Sequence, residues 1–220
     1  MTRLIWIVIG LIVWPYVGRS ADSTWEKTGE SKGVVTYRKE IVGSPTIAFR
    51  GEGEIAAPFK LVSTVLLDCD RMIEWVRNGS CKVIKRINDY EYYILTHLEM
   101  PPLFTDREFV LHSKIKLDAE KGLIHIVMDS VEIPEVPLNR FIRGQLHGEY
   151  VLQAREGGKA TFVEAEMHGD PKGALPKWLV NWIQKMWPVE TFSSLKKQVV
   201  KPDLAVLPKV NELLGDRFNP

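Results

Sequence analysis

The chain has 220 residues, enough for one large domain or two small ones, and 45% of them are hydrophobic. This apolar content excludes an intrinsically disordered or collagen-like chain, and the presence of only two cysteines excludes a disulfide scaffold. With 29 Lys and Arg residues against 28 Asp and Glu residues, the net charge is +1, so no nucleic-acid partner is expected.

The N-terminal segment is predicted to direct export. Arg3 precedes an apolar run over residues 4–17, which is shorter than the roughly 20 residues that a membrane-spanning helix needs. Small residues follow at Gly18 and Ser20, as at a signal-peptidase site. We predict a signal peptide over residues 1–20 and a periplasmic or secreted protein, with an uncleaved anchor as the alternative. Loss of Arg3 and Arg19 would leave 27 basic against 28 acidic residues, a net charge of −1.

The rest of the chain predicts one α+β domain, because strands and helices occur in separate runs without a linker or repeat. Two strands, Val34–Val42 and Thr46–Ile55, are followed by a helix from Ala57-Pro58 to Leu67 and a helical turn over Arg71–Val76. Six more strands are predicted, with turns typical of an antiparallel meander: Cys81–Ile87, Tyr90–Leu98, Arg107–Leu117, Leu123–Val131, Gln145–Arg155 and Ala160–Met167. Pro176 opens a long C-terminal helix, and apolar residues after Pro202 predict one more helical turn or two.

Alternation along the strands indicates which face of the sheet is buried. One register is mainly apolar and is expected to face the interior. The other register carries all five histidines and many acids, which is typical of a face in contact with water. This placement argues against a metal or catalytic histidine cluster inside the fold, and no metal or cofactor is predicted.

The C-terminal helix carries an apolar stripe that includes Trp178, Trp182 and Met186 at helical spacing. Pro188 is expected to kink or split this helix near Trp187, because proline cannot donate the backbone hydrogen bond. The stripe would face a sheet surface that also carries polar side chains. By periodicity alone, both a solid core and a lined cavity with polar anchors fit this arrangement.

Two loops contain more apolar residues than a tight hairpin needs, over residues 99–105 and 133–138. Such loops predict contact with a membrane or a gate over a pocket, and the alternative is packing on their own domain. The residues predicted to form the gate or to contact a membrane are Met100, Leu103, Phe104, Trp187 and Pro188. Export would also permit a disulfide between Cys69 and Cys81, and two half-buried thiols are the alternative.

Several motifs resemble the START (steroidogenic-acute-regulatory-related lipid transfer) domain over about residues 24–200. They are Trp25-Glu26-Lys27, Gly33-Val34-Val35-Thr36-Tyr37, Phe49-Arg50-Gly51-Glu52-Gly53, Glu74-Trp75, Asp106-Arg107-Glu108-Phe109-Val110 and the segment over residues 170–182. The last motif looks closest to phosphatidylcholine-transfer-like members. The resemblance implies a helix-grip fold, in which a curved antiparallel sheet surrounds a long C-terminal helix and encloses a hydrophobic cavity for one lipid. The helix and the loop over residues 100–105 would form its lid.

The resemblance and the strand register together predict the cavity lining. In cholesterol-carrying members an acid and an arginine point inward, and the matching positions here are Leu98 and Ser113, so sterol binding is not implied. Arg107 is expected to contact a phosphate or to pair with a strand neighbour, and Glu108, which departs from the family motif, is expected on the outer face. The predicted lining is Ile94, Thr96, Leu98, Arg107, Phe109, Leu111, Ser113, Ile126, Met128, Leu146, Tyr150, Val163, Met167, Trp178, Trp182 and Met186.

These features predict a monomer that binds a single phospholipid or similar lipid and carries or presents it between membranes outside the cytoplasm, through transient membrane contact. No G-x-S-x-G, P-loop or H-E-x-x-H motif occurs, so an enzyme is not expected. The alternatives are an enzyme acting on a hydrophobic substrate in the same cavity, or a lipid sensor that docks to a membrane partner. The sensor would use the tail over residues 201–220, outside the START domain.

Overall fold

The secondary structure comes from a computed structural model, which describes residues 24–218; the predicted signal peptide therefore lies outside the described residues. Its helices are α1 (Phe59–Leu67), α2 (Lys177–Gln198) and α3 (Pro208–Leu214), with short 3₁₀ helices at Met72–Glu74 and Glu156–Gly158. Its strands are β1 (Glu26–Ser31), β2 (Val34–Glu40), β3 (Ile47–Ile55), β4 (Gly79–Asn88), β5 (Glu91–Leu98), β6 (Arg107–Asp118), β7 (Leu123–Ser130), β8 (Ile142–Arg143), β9 (Gln145–Arg155) and β10 (Ala160–Asp170).

All of these strands belong to one curved sheet, with the order β1-β2-β3-β10-β9-β7-β6-β5-β4 and β8 paired to β6. Neighbouring strands are antiparallel except for the β6–β8 pair. The predicted α+β class and helix-grip architecture are confirmed. Within residues 24–218, no helix is both long enough and apolar enough to cross a membrane.

All eight predicted strands are present, with ends that differ by no more than three residues. The prediction missed β1 and β8. Strand β1 lies at the edge of the sheet and is almost wholly exposed, so its residues show no apolar alternation. Strand β8 is only two residues long and has no periodicity to detect.

The predicted inward register is the buried face of the sheet. Cross-strand pairs such as Ile94 with Leu111 and Leu152 with Val163 place this register on one side. These side chains are almost inaccessible to solvent. The turns set how the strands pair, and this pairing keeps the apolar side chains of all strands on the same face of the sheet. A shift of any strand by one residue would turn its apolar side chains to water.

Helix α2 is rotated relative to the predicted orientation. Its buried side chains are Val180, Gln184, Pro188, Thr191, Phe192, Leu195 and Gln198, whereas Trp178 and Trp182 point to solvent. The helix runs through Pro188 without a break, so the predicted split does not occur. Pro188 is buried against β3, where a Cβ on Gly51 would lie 2.7 Å from the Pro188 Cβ. Because Gly51 has no side chain, Pro188 can lie directly against β3, and this contact determines which side of α2 faces the sheet.

The C-terminal residues pack on the domain. In α3, Val210 and Leu214 are buried, and the Lys60 ammonium group on α1 donates hydrogen bonds to the Asn211 side chain (3.3 Å) and the Gly215 carbonyl (2.6 Å). The predicted extra helical turns are present as α3. Residues 201–218 are therefore packed on the domain and are not a free tail.

Candidate functional site

A cavity of about 600 Å³ lies between the inner face of the sheet and the helices. Strands β5, β6, β7 and β9 supply one wall, and the end of α1, the segment over residues 68–79 and the middle of α2 supply the other. Most of the predicted lining residues border it, because the sheet register was predicted correctly. These residues are Ile94, Thr96, Leu98, Phe109, Leu111, Ser113, Ile126, Met128, Leu146, Tyr150, Met167 and Met186.

Four residues predicted to line the cavity lie elsewhere. Trp178 and Trp182 are 71% and 58% exposed on the outer side of α2, because the buried stripe of this helix is a different one. Val163 points inward but is packed within solid core. Arg107 also points inward, and its guanidinium turns towards backbone carbonyl groups at the start of β6.

Arg107 connects two loops that end near the N-terminus of α2. Its guanidinium donates hydrogen bonds to the carbonyls of Thr105, Pro171 (3.3 Å) and Lys172 (3.2 Å). The side chain is 2% exposed, and burial lowers the pKa of Arg107 from its ordinary value. Arg107 therefore does not border the cavity and forms no ion pair with a strand neighbour; it fastens the segment leading into α2 to the sheet.

Glu108 is on the outer face, as predicted, but it is buried. The Arg143 guanidinium donates to one carboxylate oxygen of Glu108 (2.6 and 3.0 Å), and the Asn139 amide donates to the other (2.9 Å). Arg143 also donates to the carbonyl of Val136 (3.2 Å). This buried charge is fully paired, and it holds the loop over residues 131–143 against the sheet.

The predicted gate residues do not form one group. Met100, Leu103 and Phe104 do not border the cavity, and Leu103 is fully exposed at the tip of its loop. Trp187 borders the cavity, with its ring centroid 6.4 Å from that of Tyr150 in an edge-on arrangement. Pro188 is buried, so it cannot contact a membrane in this conformation.

In the second apolar loop, over residues 133–138, one apolar side chain is packed on the domain and another is exposed. Val136 packs on its own domain with 8% exposure, whereas Leu138 is 76% exposed.

Part of the wall was missed by the sequence analysis. Two features of the sequence could have indicated these residues. One is the apolar periodicity of α1, and the other is Trp75, which the sequence analysis used only as part of a family motif. On α2, Ile183 and Val189 belong to the apolar stripe of the sequence but were not included in the predicted lining, and Thr191 is a polar residue outside that stripe. The missed lining residues include Val65, Leu66, Leu67, Met72, Trp75, Val76, Ile183, Val189 and Thr191.

A disulfide closes the wall next to the 3₁₀ helix. It joins Cys69 to Cys81, whose Cα atoms are 5.2 Å apart, and both cysteines border the cavity. Inside this closed loop, the Glu74 carboxylate accepts hydrogen bonds from Arg71 (2.7 Å), Gln198 (2.8 Å) and Lys201 (2.9 Å). The hydrogen bonds from Arg71, then Lys201 and Gln198, hold the pKa of Glu74 well below its usual range. The loop is thus tied to the C-terminal end of α2.

Apart from His97 and Asp68, the buried and half-buried residues that border the cavity offer only neutral polar groups. Burial raises the pKa of Tyr150, and also that of Tyr92, so both phenols stay protonated at neutral pH. Ser113 is almost completely buried and hydrogen-bonds to Tyr92. Such a wall suits a hydrophobic molecule with few hydrogen-bonding groups.

The histidines lie in polar surroundings on the outer register. His125 and His147 both contact the Glu149 carboxylate, at 2.9 and 3.0 Å, and His147 also contacts Asp129 at 2.7 Å. His97, beside the Asp106 carboxylate at 3.2 Å, also borders the cavity. Among residues 24–218, no group of three or more His, Cys, Asp or Glu side chains is arranged to hold a metal ion.

The sequence profile of the START domain matches residues 18–201, which is most of the chain. The chain belongs to the START family. Members of this family are known for binding and transferring lipids. The predicted resemblance is therefore confirmed, and the cavity of this START domain lies between the helix and the sheet that define the helix-grip fold.

Relatives of this START domain occur in bacteria and in animals. An uncharacterised Pseudomonas aeruginosa protein is 25% identical over 200 residues, covering 88% of this chain and 96% of that protein. The phosphatidylcholine transfer protein of Mus musculus is 23% identical over 168 residues, covering 73% and 77% of the two chains.

Solved structures have the same fold. A STAR-related lipid transfer protein fragment from Xanthomonas axonopodis has a TM-score of 0.71 and 25% identity, over 80% of this chain and 99% of that one. Human StAR-related lipid transfer protein 5 has a TM-score of 0.74 and 24% identity, over 82% and 88%.

Proposed function

We propose that this START domain binds one lipid in its cavity and carries it between membranes outside the cytoplasm. The observation that carries the proposal is the cavity itself, whose volume of about 600 Å³ suits a single ligand and whose inner wall is apolar. Burying an acyl chain contributes about 0.8 kcal/mol per methylene, so a chain of about ten methylenes gains roughly 8 kcal/mol before ordering costs. A ligand can therefore be held without a charged group inside the wall.

The N-terminal sequence and the disulfide support the proposal that the protein is exported. Residues 1–20 have the pattern of a signal peptide. Disulfides persist in oxidising compartments, and the Cys69–Cys81 bridge is consistent with a periplasmic or secreted protein. Fractionation of the producing cells tests this part of the proposal: the N-terminal sequence of the mature protein should begin near Ala21, and recovery of the intact chain in the cytoplasm would contradict it.

Membrane contact is assigned to the outer side of the N-terminal half of α2. Trp178 and Trp182 are exposed there at successive turns, with 71% and 58% of their surfaces accessible, and Met186, at the border of the cavity one turn later, is 38% exposed. Tryptophan favours the membrane interface because its ring is apolar and its N–H is polar. Leu103 adds a fully exposed apolar side chain on a loop that Arg107 fastens beside the segment leading into α2.

Lipid binding is tested by native mass spectrometry of protein mixed with phospholipid vesicles and then separated from them. We expect one bound lipid per chain. Met128→Trp should reduce occupancy by filling the cavity, whereas Val127→Trp, the adjacent half-buried residue on the outer face of β7, should not. A wild-type protein that never retains lipid would overturn the proposal, and turnover of the lipid would support the enzyme alternative instead.

Transfer is tested by following a fluorescent phospholipid from donor to acceptor vesicles. Trp178→Ser with Trp182→Ser should slow transfer and weaken vesicle binding, because the interfacial side chains are lost. Occupancy with a short-chain lipid added from solution should remain unchanged, since neither residue borders the cavity. Transfer at the wild-type rate by the folded double variant would contradict this assignment of the membrane face.

A further inference from the structure

The cavity meets solvent at a charged mouth. Among the residues that border the cavity, nearly all are buried or half-buried, and the exposed ones are few. All of the exposed lining residues except Met186 are charged. They are Lys32, Arg77, Met186, Glu190 and Lys197.

Three elements converge at this mouth. The Lys196 ammonium group donates to the Lys32 carbonyl (3.2 Å), which places the β1–β2 turn beside the last turns of α2. Gln198 at the end of α2 donates to Glu74 (2.8 Å), which brings the disulfide-closed loop against the last turn of the same helix. The mouth is therefore framed by the turn that carries Lys32, the loop that carries Arg77, and the C-terminal half of α2. The exposed tryptophans belong to the other half of the helix.

Positive charge predominates at the mouth, and its cations form no direct ion pair with the described protein. Within residues 24–218, the side chains of Lys32, Arg77 and Lys197 have no carboxylate partner. The acids that border the cavity are Glu190 and Asp68, and an Asp68 oxygen accepts the backbone N–H of Arg71 (3.3 Å). Three cations thus stand against two acids, so these side chains carry a net charge of +1.

The inner wall cannot accept an ionised headgroup. Its polar groups are hydroxyls, phenols and the Trp75 indole N–H, all of them neutral. The buried Arg107 guanidinium does not border the cavity and is occupied by three backbone carbonyls. His97, which does border the cavity, contacts the Asp106 carboxylate at 3.2 Å. Burying an unpaired charge in such surroundings costs several kcal/mol, so a charged group of the ligand must remain at the mouth.

We propose that the mouth formed by Lys32, Arg77 and Lys197 binds the anionic headgroup of a lipid, a carboxylate or a phosphate, whose acyl chain lies in the cavity. Arg77 supplies a planar guanidinium that matches two anionic oxygens, and the lysines supply point charges. The proposal rests on the proposed function, since it requires a lipid in the cavity, and it adds the charge and the orientation of that lipid.

The test compares three single-chain probes, oleate, oleoyl-lysophosphatidic acid and monooleoylglycerol, by calorimetry below their aggregation concentrations. Arg77→Gln with Lys197→Gln should weaken binding of the anionic probes about five-fold, the size expected from two exposed ion pairs. Monooleoylglycerol should bind unchanged, and 1 M salt should remove the difference between the proteins. Loss of affinity for both anions indicates a general anion site, and loss for lysophosphatidic acid alone indicates a phosphate site; either supports the proposal.

The matched control is Lys177→Gln with Lys185→Gln, which removes two exposed cations from the other half of α2. It should leave all three affinities unchanged. Equal weakening of all three probes by the mouth variant, or no weakening of any, would overturn the headgroup site while leaving lipid binding intact. A wild-type protein that binds none of the probes and retains no vesicle lipid would instead overturn the proposed function.

Discussion

The two halves of α2 have opposite relations to the rest of the protein. The N-terminal half, over residues 177–186, contains more large apolar side chains, yet Trp178 and Trp182 are mostly exposed. The C-terminal half, over residues 187–198, contains several polar residues, yet Phe192 and Leu195 are completely buried. The more apolar half is thus the more exposed one. Apolar residues that are exposed together indicate an interaction surface. The buried apolar residues of the C-terminal half instead hold the helix against the sheet.

The largest effect is expected from Phe192→Ala. Phe192 is 0% exposed and packs beside Gly51 and Gly53 of β3. Its truncation removes buried surface and leaves a cavity, so the free energy of unfolding should fall by about 3–5 kcal/mol. Urea denaturation measures this change. A loss below about 1 kcal/mol would mean that the C-terminal half of α2 is not anchored as described.

Arg107→Met should loosen the N-terminal half of α2. The variant leaves the carbonyls of Thr105, Pro171 and Lys172 without their donor, at a cost of about 1–3 kcal/mol. Hydrogen exchange should accelerate over residues 171–182 and stay slow over residues 191–198. Uniform acceleration along the whole helix would show that the two halves open together.

Glu74 should make the attachment of the C-terminal half dependent on pH. Because the pKa of Glu74 is lowered in the folded protein, its stabilising effect is complete above its ordinary pKa of 4.5 and is lost as the pH falls below that value. Glu74→Gln should therefore unfold at a lower temperature than the wild type at pH 7. The difference should shrink as the pH is lowered towards 2, and a constant difference would contradict the role assigned to this carboxylate.

The smallest effect on stability is expected from Trp182→Ser. This side chain is 58% exposed and does not border the cavity, so the free energy of unfolding should change by no more than about 0.5 kcal/mol. Urea denaturation of Trp182→Ser and Phe192→Ala under the same conditions compares their free energies of unfolding directly. A loss similar to that of Phe192→Ala would show that Trp182 packs inside the fold.

Much of the sheet side of the site could be predicted from sequence. In strands such as β6 and β9 one of the two registers is mainly apolar, and their turns fix the register, so Leu111 and Tyr150 could be assigned to the interior. The opposite wall of the cavity was harder to predict from the sequence. Trp75 and Val76 follow a 3₁₀ helix with no periodicity of its own, and their position depends on a disulfide and on Glu74 contacts with residues far along the chain.

The sequence by itself determined the α+β class, the inward face of the sheet and the family, because alternation and motifs are local properties of the chain. Only the tertiary structure decided the rotation of α2, the partners of Arg107 and the charged mouth. Gln184, for example, looks like a solvent-facing residue in the sequence. It is buried, and its side-chain N–H donates to the Gly169 carbonyl at 2.7 Å, whereas its side-chain oxygen has no partner among the described residues. A polar side chain can be buried when a distant group satisfies it, and no local pattern records that group.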